Sequence, residues 1–495
     1  MLHQLLQPLV QTPATGITPN VAKAIETLDE RVQAIHADMI ELKRVAGLES
    51  GAPLRLEIFH NYIGVLVVAF LTTLLLTPVM RRLAIAYGVI DRPTVARKIH
   101  KSPTAYLGGV AVYFGILLGV IFAYTAPLHG LVEFHQSKHE RPGLPGGLSV
   151  WILIGMTVIM ACGLLDDIKG IHPRAKIAGM LFAAAALATE TIGVRVAAGA
   201  MIPIAHALGL PVHMQNGLET VLLTIPMPGG GGLSIDLVYW VGTAIIAIFV
   251  LGACNASNLI DGLDGLASGV TAIANVGLLF IALSMASTDD GVLDASRIIL
   301  CLGVLGACLG FLPYNFNPAN IFLGDAGSLL LGFCTIVIVL TLGDTGRTDL
   351  VLAGLIIYLI PIIDTCLAIV RRKLAGKSIS DADDQHLHHM LKRALGVKGA
   401  VFALYGISAG FAVLGIALSE GRARVTYALT LVFVAFIGVT AFKIARRNQE
   451  QQAAEAAAQR VSTPLIPAGP VASAGASPAV PPAGAHRSPA DHKAA

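Results

Sequence analysis

The sequence predicts an all-α polytopic membrane bundle of about eleven transmembrane helices whose functional loops face the cytoplasm. Three observations carry that expectation. Of 495 residues, 55% are hydrophobic and 13% charged, with mean hydropathy +0.73, which is far too apolar for a water-soluble chain. Apolar runs long enough to span a bilayer recur near 59–80, 107–126, 148–165, 176–193, 236–254, 266–286, 297–312, 327–343, 350–370, 400–418 and 425–442. Between them, Lys and Arg alternate in density. Segments 81–106, 166–176 and 371–400 hold sixteen, whereas 127–147, 194–235, 286–297, 344–349 and 419–424 hold seven, so the first set is expected inside. An odd number of spans then puts the N-terminus outside and the C-terminus inside.

Residues 1–58 form an extramembrane segment. They mix charges with single apolar residues and contain no continuous apolar core, so no leading signal peptide is expected. Within them Val21, Ile25, Leu28, Val32, Ile35, Met39 and Leu42 alternate steps of four and three, as a short coiled-coil seam or a surface-lying amphipathic helix would. The first reading implies a homodimer. The membrane domain runs from 59 to 442, and the Ala/Pro-rich tail 443–495 has the composition of a disordered cytoplasmic segment. All six cysteines lie in or beside apolar spans without CxxC spacing, so they read as small buried residues. A net charge of +3, dispersed along the chain, argues against nucleic acid as a partner.

Taken in order, the loops carry the unusual chemistry. DRPTVARKIHKSPTAYLGG, after the first span, combines Arg97, Lys98, His100 and Lys101 with Gly108–Gly109; such basic residues hold either lipid headgroups or a substrate phosphate. Asp166 and Asp167 end the third span. Two adjacent carboxylates near a low-dielectric boundary ask for a metal ion or a lysine. The stretch Gly193–Ile235 alternates near Val194–Ala198 and carries a Pro/Gly cluster at 226–232 that reads as a turn, since no GxGxxG or GK[ST] opens a helix there. In NASNLIDGLDGLASG, directly after the fifth apolar run, Asn255, Asn258, Asp261 and Asp264 recur every third residue. On a continuous helix they would cover about half of one surface and face a single polar cavity; a cap-and-turn cluster is the alternative. Asp325 in NIFLGDAGS stands between glycines at a loop-to-helix junction, where backbone approaches a ligand closely and a helix N-terminus favours anionic oxygens. A hard ion such as Mg²⁺ suits such oxygens better than zinc. QHLHHML places His386, His388 and His389 in the loop after the ninth span, behind Asp381, Asp383 and Asp384. No cysteine or second pair completes a zinc site there.

These five motifs, in this order over about residues 59–442, resemble the polyprenyl-phosphate N-acetylhexosamine-1-phosphate transferase family, which includes the MraY, WecA and TagO enzymes. The HLHH form resembles the WecA/TagO branch. The resemblance implies a helical bundle in the cell membrane with a cytoplasmic active site, and transfer of N-acetylhexosamine-1-phosphate, chiefly GlcNAc-1-phosphate, from a UDP-sugar to undecaprenyl-type phosphate with release of UMP. It further implies Mg²⁺, or Mn²⁺ in its place, on Asp325 with Asn258 as second ligand. Asp166 is implied as base or lipid-phosphate positioner beside Asp167, and Asp261 as organiser of the cavity. Phe322 would stack on uracil with Asn315 and Asp264 lining the uridine pocket, Asn255 would bind substrate, and Lys101, His386, His388 and His389 would hold phosphate oxygens. Ala105 and Asp384 depart from the residues common in relatives, a proline and a basic residue respectively. The rival reading from the residues alone is a cation-coupled transporter, which would place its carboxylates near the bilayer midplane instead of at helix ends.

Overall fold

The computed structural model describes residues 55–91, 103–126, 148–190, 192–215, 218–226, 232–288, 293–374, 386–421, 424–440 and 443. The expected seam at 21–42, Lys101, the acidic residues 381–384 and the tail beyond 443 lie outside the described residues. Thirteen helices account for most of the rest. They are α1 Arg55–Ala86, α2 Gly108–Thr125, α3 Val150–Lys169, α4 Pro173–Ala188, α5 Ile192–Ala207, α6 Leu237–Ile260, α7 Leu266–Thr288, α8 Asp294–Asn315, α9 Gly324–Thr341, α10 Thr348–Ile357, α11 Leu359–Leu374, α12 Leu387–Ser419 and α13 Arg424–Thr440.

The protein is therefore an all-α polytopic membrane bundle. Among the described residues, eight helices are long and apolar enough to cross a membrane by themselves, and up to ten spans result if each of two bent pairs, α4 with α5 and α10 with α11, counts as one. The eleventh hydropathy run, 425–442, falls on α13, which is apolar but shorter than the helices so counted. The run at 350–370 is broken by 76° between α10 and α11. Pro361 has no N–H to give to the carbonyl of Ile357, the last residue of α10, so the helical ladder cannot continue through it. The alternation near Val194–Ala198 belongs to a helix, α5, and not to extended chain.

Three short antiparallel pairs join the helices. β1 (Ile90–Asp91) pairs with β2 (Thr104–Ala105), β3 (His213–Gln215) with β4 (Leu218–Thr220), and β5 (Leu222–Pro226) with β6 (Gly232–Asp236). In the last pair Pro226 lies opposite Gly232, the two ends of the Pro/Gly cluster; residues 227–231 between them lie outside the described residues. This hairpin region and α5 share a small core of Ala197, Ile202, Ala205, Val221 and Val238.

α9 is the axis of the bundle, packed against α2, α3, α5, α6, α7, α8 and α10. Every one of its residues is buried except Asp325. Lipid tails are as apolar as leucine, so close packing between helices, more than escape from a solvent, holds such an axis in place. Its small residues permit that packing. A Cβ on Gly332 would stand 2.4 Å from the carbonyl oxygen of Ala253 in α6. Outer helices present Leu71, Leu75, Ile248, Val413 and Phe436 outward, as a hydrocarbon environment requires. Just beyond the far end of α9, Asp344 pairs with the fully buried Arg297 at 3.0 Å, and Arg297 also pairs with Asp294. The near end carries Asp325.

Candidate active site

The first turn of α9 meets the last turn of α3. Gly163 makes this possible, since a Cβ there would sit 2.5 Å from the Asp325 carbonyl oxygen and from Ala326 Cα. Gly324 has φ +72, a left-handed conformation that only glycine adopts cheaply, and it turns the chain into α9. The contact lets Asp167 cap a helix that is not its own. Its Oδ1 accepts from the Asp325 N–H at 2.8 Å and its Oδ2 from the Ala326 N–H at 3.0 Å. Asp325 is therefore free of the capping role and presents its carboxylate at the positive end of the helix.

Asp166, one residue earlier, faces the turn into α4. Its Oδ1 accepts from the Ile171 N–H at 2.8 Å, and its Oδ2 lies 2.6 Å from Lys176 Nζ. Lys176 also pairs with Asp325 Oδ2, so one ammonium bridges the two carboxylates. The cation that the adjacent carboxylates require is thus supplied within the chain. Lys176 was not singled out from its sequence context, IHPRAK. The demand of Asp166–Asp167 for a lysine, and a helix start at Pro173 that brings residue 176 back toward α3, are the signals that point to it.

The four residues spaced by three do not share one helical face. α6 stops at Ile260, and Asp261 takes up φ −75, ψ 44 beyond it. Asn258 donates to Ser328 Oγ at 3.1 Å and also reaches Asp325, so it joins α6 to the site. Asp261 is half-buried. Burial, with Asp325, Asp167 and Asp264 nearby, pushes its carboxyl well above the ordinary carboxylate range. Asp264 accepts from Asn317 Nδ2 at 2.8 Å and from the Ala319 N–H at 3.0 Å, fixing the loop before Phe322. Asn255 is exposed and donates to the Leu251 carbonyl at 2.7 Å, away from this group.

Asn315 is buried, and both ends of its amide bond within the fold. Its Oδ1 accepts from the Gly265 N–H and Ser268 Oγ, each at 3.1 Å, while its Nδ2 donates to the Ile321 carbonyl. It ties the start of α7 to the strand-like segment that leads into α9. That segment pairs with the first loop. Ala105 bridges Ile321 in parallel, the Phe322 N–H donates to the Ala105 carbonyl at 2.8 Å, and the Gly108 N–H donates to Phe322 O at 3.1 Å. The half-buried Phe322 ring lies 5.8 Å from that of Tyr106. Burial, reinforced by Asp91, Asp167 and Asp325, raises the Tyr106 phenol above its usual range.

His386, His388 and His389 lie not in a loop but at the start of α12, His386 as its N-cap. His386 and His388 each place Nδ1 3.2 Å from Asp364 Oδ2, and the Leu387 N–H donates to Asp364 Oδ1 at 2.7 Å. His389 stacks obliquely on His388, with ring centroids 4.3 Å apart. A Cβ on Gly262 would stand 2.4 Å from His388 Nε2, which sets the cluster against the turn carrying Asp261. Asp364 was also not singled out. It is the one charged residue of the run Leu359–Val370, and an ionisable group inside an apolar span is a functional signal by itself.

Asp166, Asp325 and Asn258 offer hard oxygen donors, and positive charge already bridges the two carboxylates, so these residues fit a hard divalent cation. Among the described residues, the group of His and carboxylate donors that converges within 4.8 Å is instead Asp364, His386 and His388. Lys101 lies outside the described residues.

The family model described as glycosyl transferase family 4 matches residues 149–343, from the start of α3 through α9. A probable undecaprenyl-phosphate N-acetylglucosaminyl 1-phosphate transferase of Bacillus subtilis is 30% identical over 379 residues, 76% of this chain and 90% of the relative. A decaprenyl-phosphate N-acetylglucosaminephosphotransferase of Mycolicibacterium smegmatis is 30% identical over 399 residues, 77% of this chain and 88% of the relative. A phospho-N-acetylmuramoyl-pentapeptide-transferase of Desulforudis audaxviator is 30% identical over 369 residues, 72% of this chain and 97% of the relative.

Proposed function

Because the chain belongs to the polyprenyl-phosphate N-acetylhexosamine-1-phosphate transferase family, glycosyl transferase family 4, we propose that it transfers N-acetylhexosamine-1-phosphate from a UDP-sugar to a polyprenyl phosphate in cell-wall or surface polysaccharide synthesis. The observation that carries the reading is the Asp166–Lys176–Asp325 bridge at the joined ends of α3, α4 and α9, with Asp261 beside it.

In the proposed reaction an oxygen of the lipid phosphate attacks the sugar-bearing phosphorus of the donor. A new P–O–P link forms, the old P–O bond to the uridylyl group breaks, and UMP leaves with the electron pair. Phosphate monoesters enter and leave in nearly the same charge state, so no strong base is required. Alignment and charge neutralisation are the catalytic needs. Asp166 orients the attacking phosphate through Lys176 and does not act as a base of high affinity. Asp325 and Asn258 would hold Mg²⁺, which supplies neutralisation of the diphosphate when bound. Phe322, placed by Ala105 and Gly108, offers a ring edge and face to a base, and Asp264 and Asn315 act by fixing the loop that presents it.

The donor is UDP-N-acetylglucosamine in this reading, on the HLHH form of the histidine motif. Identity alone does not choose, since relatives named for N-acetylglucosamine and for N-acetylmuramoyl-pentapeptide are equally similar. The site faces the cytoplasm of the cell membrane, on the Lys/Arg asymmetry of the loops. The test is purified protein with polyprenyl phosphate, titrated Mg²⁺ and a panel of UDP-sugars. UMP release specific to UDP-N-acetylglucosamine is expected; no UMP from any donor would refute the reading.

A further inference from the structure

Asp364 has no part in the reaction as described, yet it is among the most thoroughly bonded acids in the molecule. It lies in the apolar run of α11, is 1% exposed, and receives three hydrogen-bonding groups from the first turn of α12. An ionised carboxylate only accepts hydrogen bonds. Each ring nitrogen facing Oδ2 must therefore carry a hydrogen, and that nitrogen is Nδ1 in both His386 and His388. The Leu387 N–H on Oδ1 adds the positive end of α12. Burying the charge is tolerable because these donors surround it.

We propose that Asp364 is the positioning residue of the histidine cluster: its carboxylate locks His386 and His388 as Nδ1–H tautomers and turns their Nε2 atoms away from α11, that of His388 onto the Asp261–Gly262 turn. The inference rests on the proposed reaction only in taking the histidines to hold substrate phosphate oxygens, the role that the family resemblance implies. It accounts for two features together. One oxygen serves both rings, so their orientations are coupled, with ring planes 18° apart and centroids 5.4 Å apart. The same residue caps α12, so the helix and its histidines are placed by one group. This is the arrangement by which a buried carboxylate fixes the tautomer of a working imidazole, and loss of such partners typically reduces activity about 10–100-fold or more.

The experiment is ¹⁵N NMR of histidine-labelled full-length protein in detergent or nanodiscs, the two rings being assigned with His386→Asn and His388→Asn. Both should show a protonated Nδ1 in the unaltered protein, a measurement that needs neither substrate nor a variant at Asp364. In Asp364→Asn the amide can keep an acceptor on the Leu387 N–H only by turning its NH2 group to the two rings, so at least one ring should switch to the Nε2–H form. UMP-release kinetics of that variant should show kcat down about 100-fold with KM for the UDP-sugar changed by much less. An Nε2–H tautomer in either ring of the unaltered protein would overturn the proposal, as would unchanged spectra and kcat in Asp364→Asn. Stoichiometric zinc in the purified protein, lost in Asp364→Ala, would overturn it too by making the three residues metal ligands. If the tautomers behave as expected while no UDP-sugar yields UMP, the positioning stands and the proposed reaction falls.

Discussion

Asp325→Asn should stop turnover while leaving the protein folded, and the structure sets both halves of that expectation. The substitution keeps the shape of the side chain and removes its charge. In the resting site that charge is one of two holding Lys176, the other being Asp166 at 2.6 Å, and the paired groups are only about a quarter exposed, so solvent screens them incompletely. A charged hydrogen bond of this kind contributes roughly 1.5–3 kcal/mol. In the proposed reaction Asp325 would act through the cation it holds, and a preorganised cation that neutralises charge developing on the transferring phosphoryl group contributes roughly 3–4 kcal/mol, each 1.4 kcal/mol being about a factor of ten in rate. The expected loss in kcat is on the order of a thousandfold. Stability should hold because the first N–H groups of α9 are capped by Asp167 and not by Asp325. The assay is UMP release by purified protein with UDP-N-acetylglucosamine, polyprenyl phosphate and Mg²⁺, beside a thermal melt. Near-normal kcat in folded Asp325→Asn would refute the role of this carboxylate, and aggregation of the variant would refute the division of labour between Asp325 and Asp167.

The reverse partition is expected of Asp167→Ala, which strips two hydrogen bonds from the α9 terminus and should destabilise the protein by roughly 1–3 kcal/mol, read as a lower melting temperature. Phe322→Ala should raise KM for the UDP-sugar by about 10–100-fold with a smaller change in kcat, since stacking on a base contributes roughly 1–3 kcal/mol and the backbone bonds of Phe322 do not need its ring. Asp261 binds its proton more tightly in the folded protein than in the unfolded chain, so its contribution to stability is full below the unfolded pKa of about 3.9 and is lost as pH rises through the folded value. Asp261→Asn should accordingly melt higher than the parent at about pH 8 without Mg²⁺, with the difference vanishing near pH 4; a difference that grows toward acid would refute the burial argument. A cysteine at Ser137 should react with an impermeant reagent added to intact cells and one at Ser378 should not, and the opposite pattern would invert the proposed topology.

Hydropathy made the bundle legible because a span must satisfy its own backbone and face lipid, and each run read from the sequence falls on a helix. What it could not convey was how a run is divided. Nothing in the mean apolarity of 350–370 separates α10 from α11; the missing N–H of Pro361 does. The Asn/Asp motif shows the same limit at the site. Spacing of three implies a shared face only while the helix lasts, and α6 ends between Asn258 and Asp261. Asn258 reaches α9, Asp264 holds the 317–319 loop, and Asn255 bonds its own helix. Asn315 has the residue type of a ligand-binding amide but uses both ends of that amide inside the fold. Lys176 and Asp364 were overlooked for a common reason. Each acquires its partners only across helices, Lys176 from Asp166 in α3 and from Asp325, 149 residues away, and Asp364 from the start of α12, 22 residues away.

Charge explains why these elements converge where they do. Asp166, Asp167, Asp261 and Asp325 gather around the first turn of α9, and the described residues answer them unequally. Asp167 is met by two backbone N–H groups and by the helix end, and Asp166 and Asp325 share one ammonium. Asp261 is left to burial and to its neighbours' charge, which favour its protonated form. Among the described residues one ammonium answers these four carboxylates, and the basic residues Arg97, Lys98 and Lys101 lie outside them. In the proposed reaction a diphosphate donor and a lipid phosphate would need further positive charge there, which a divalent ion or that loop would supply. Lys176 would have a second use in that reaction, since its ammonium is paired with Asp166 as well as with Asp325 and would stay held by Asp166 to meet the attacking phosphate if Asp325 held an ion.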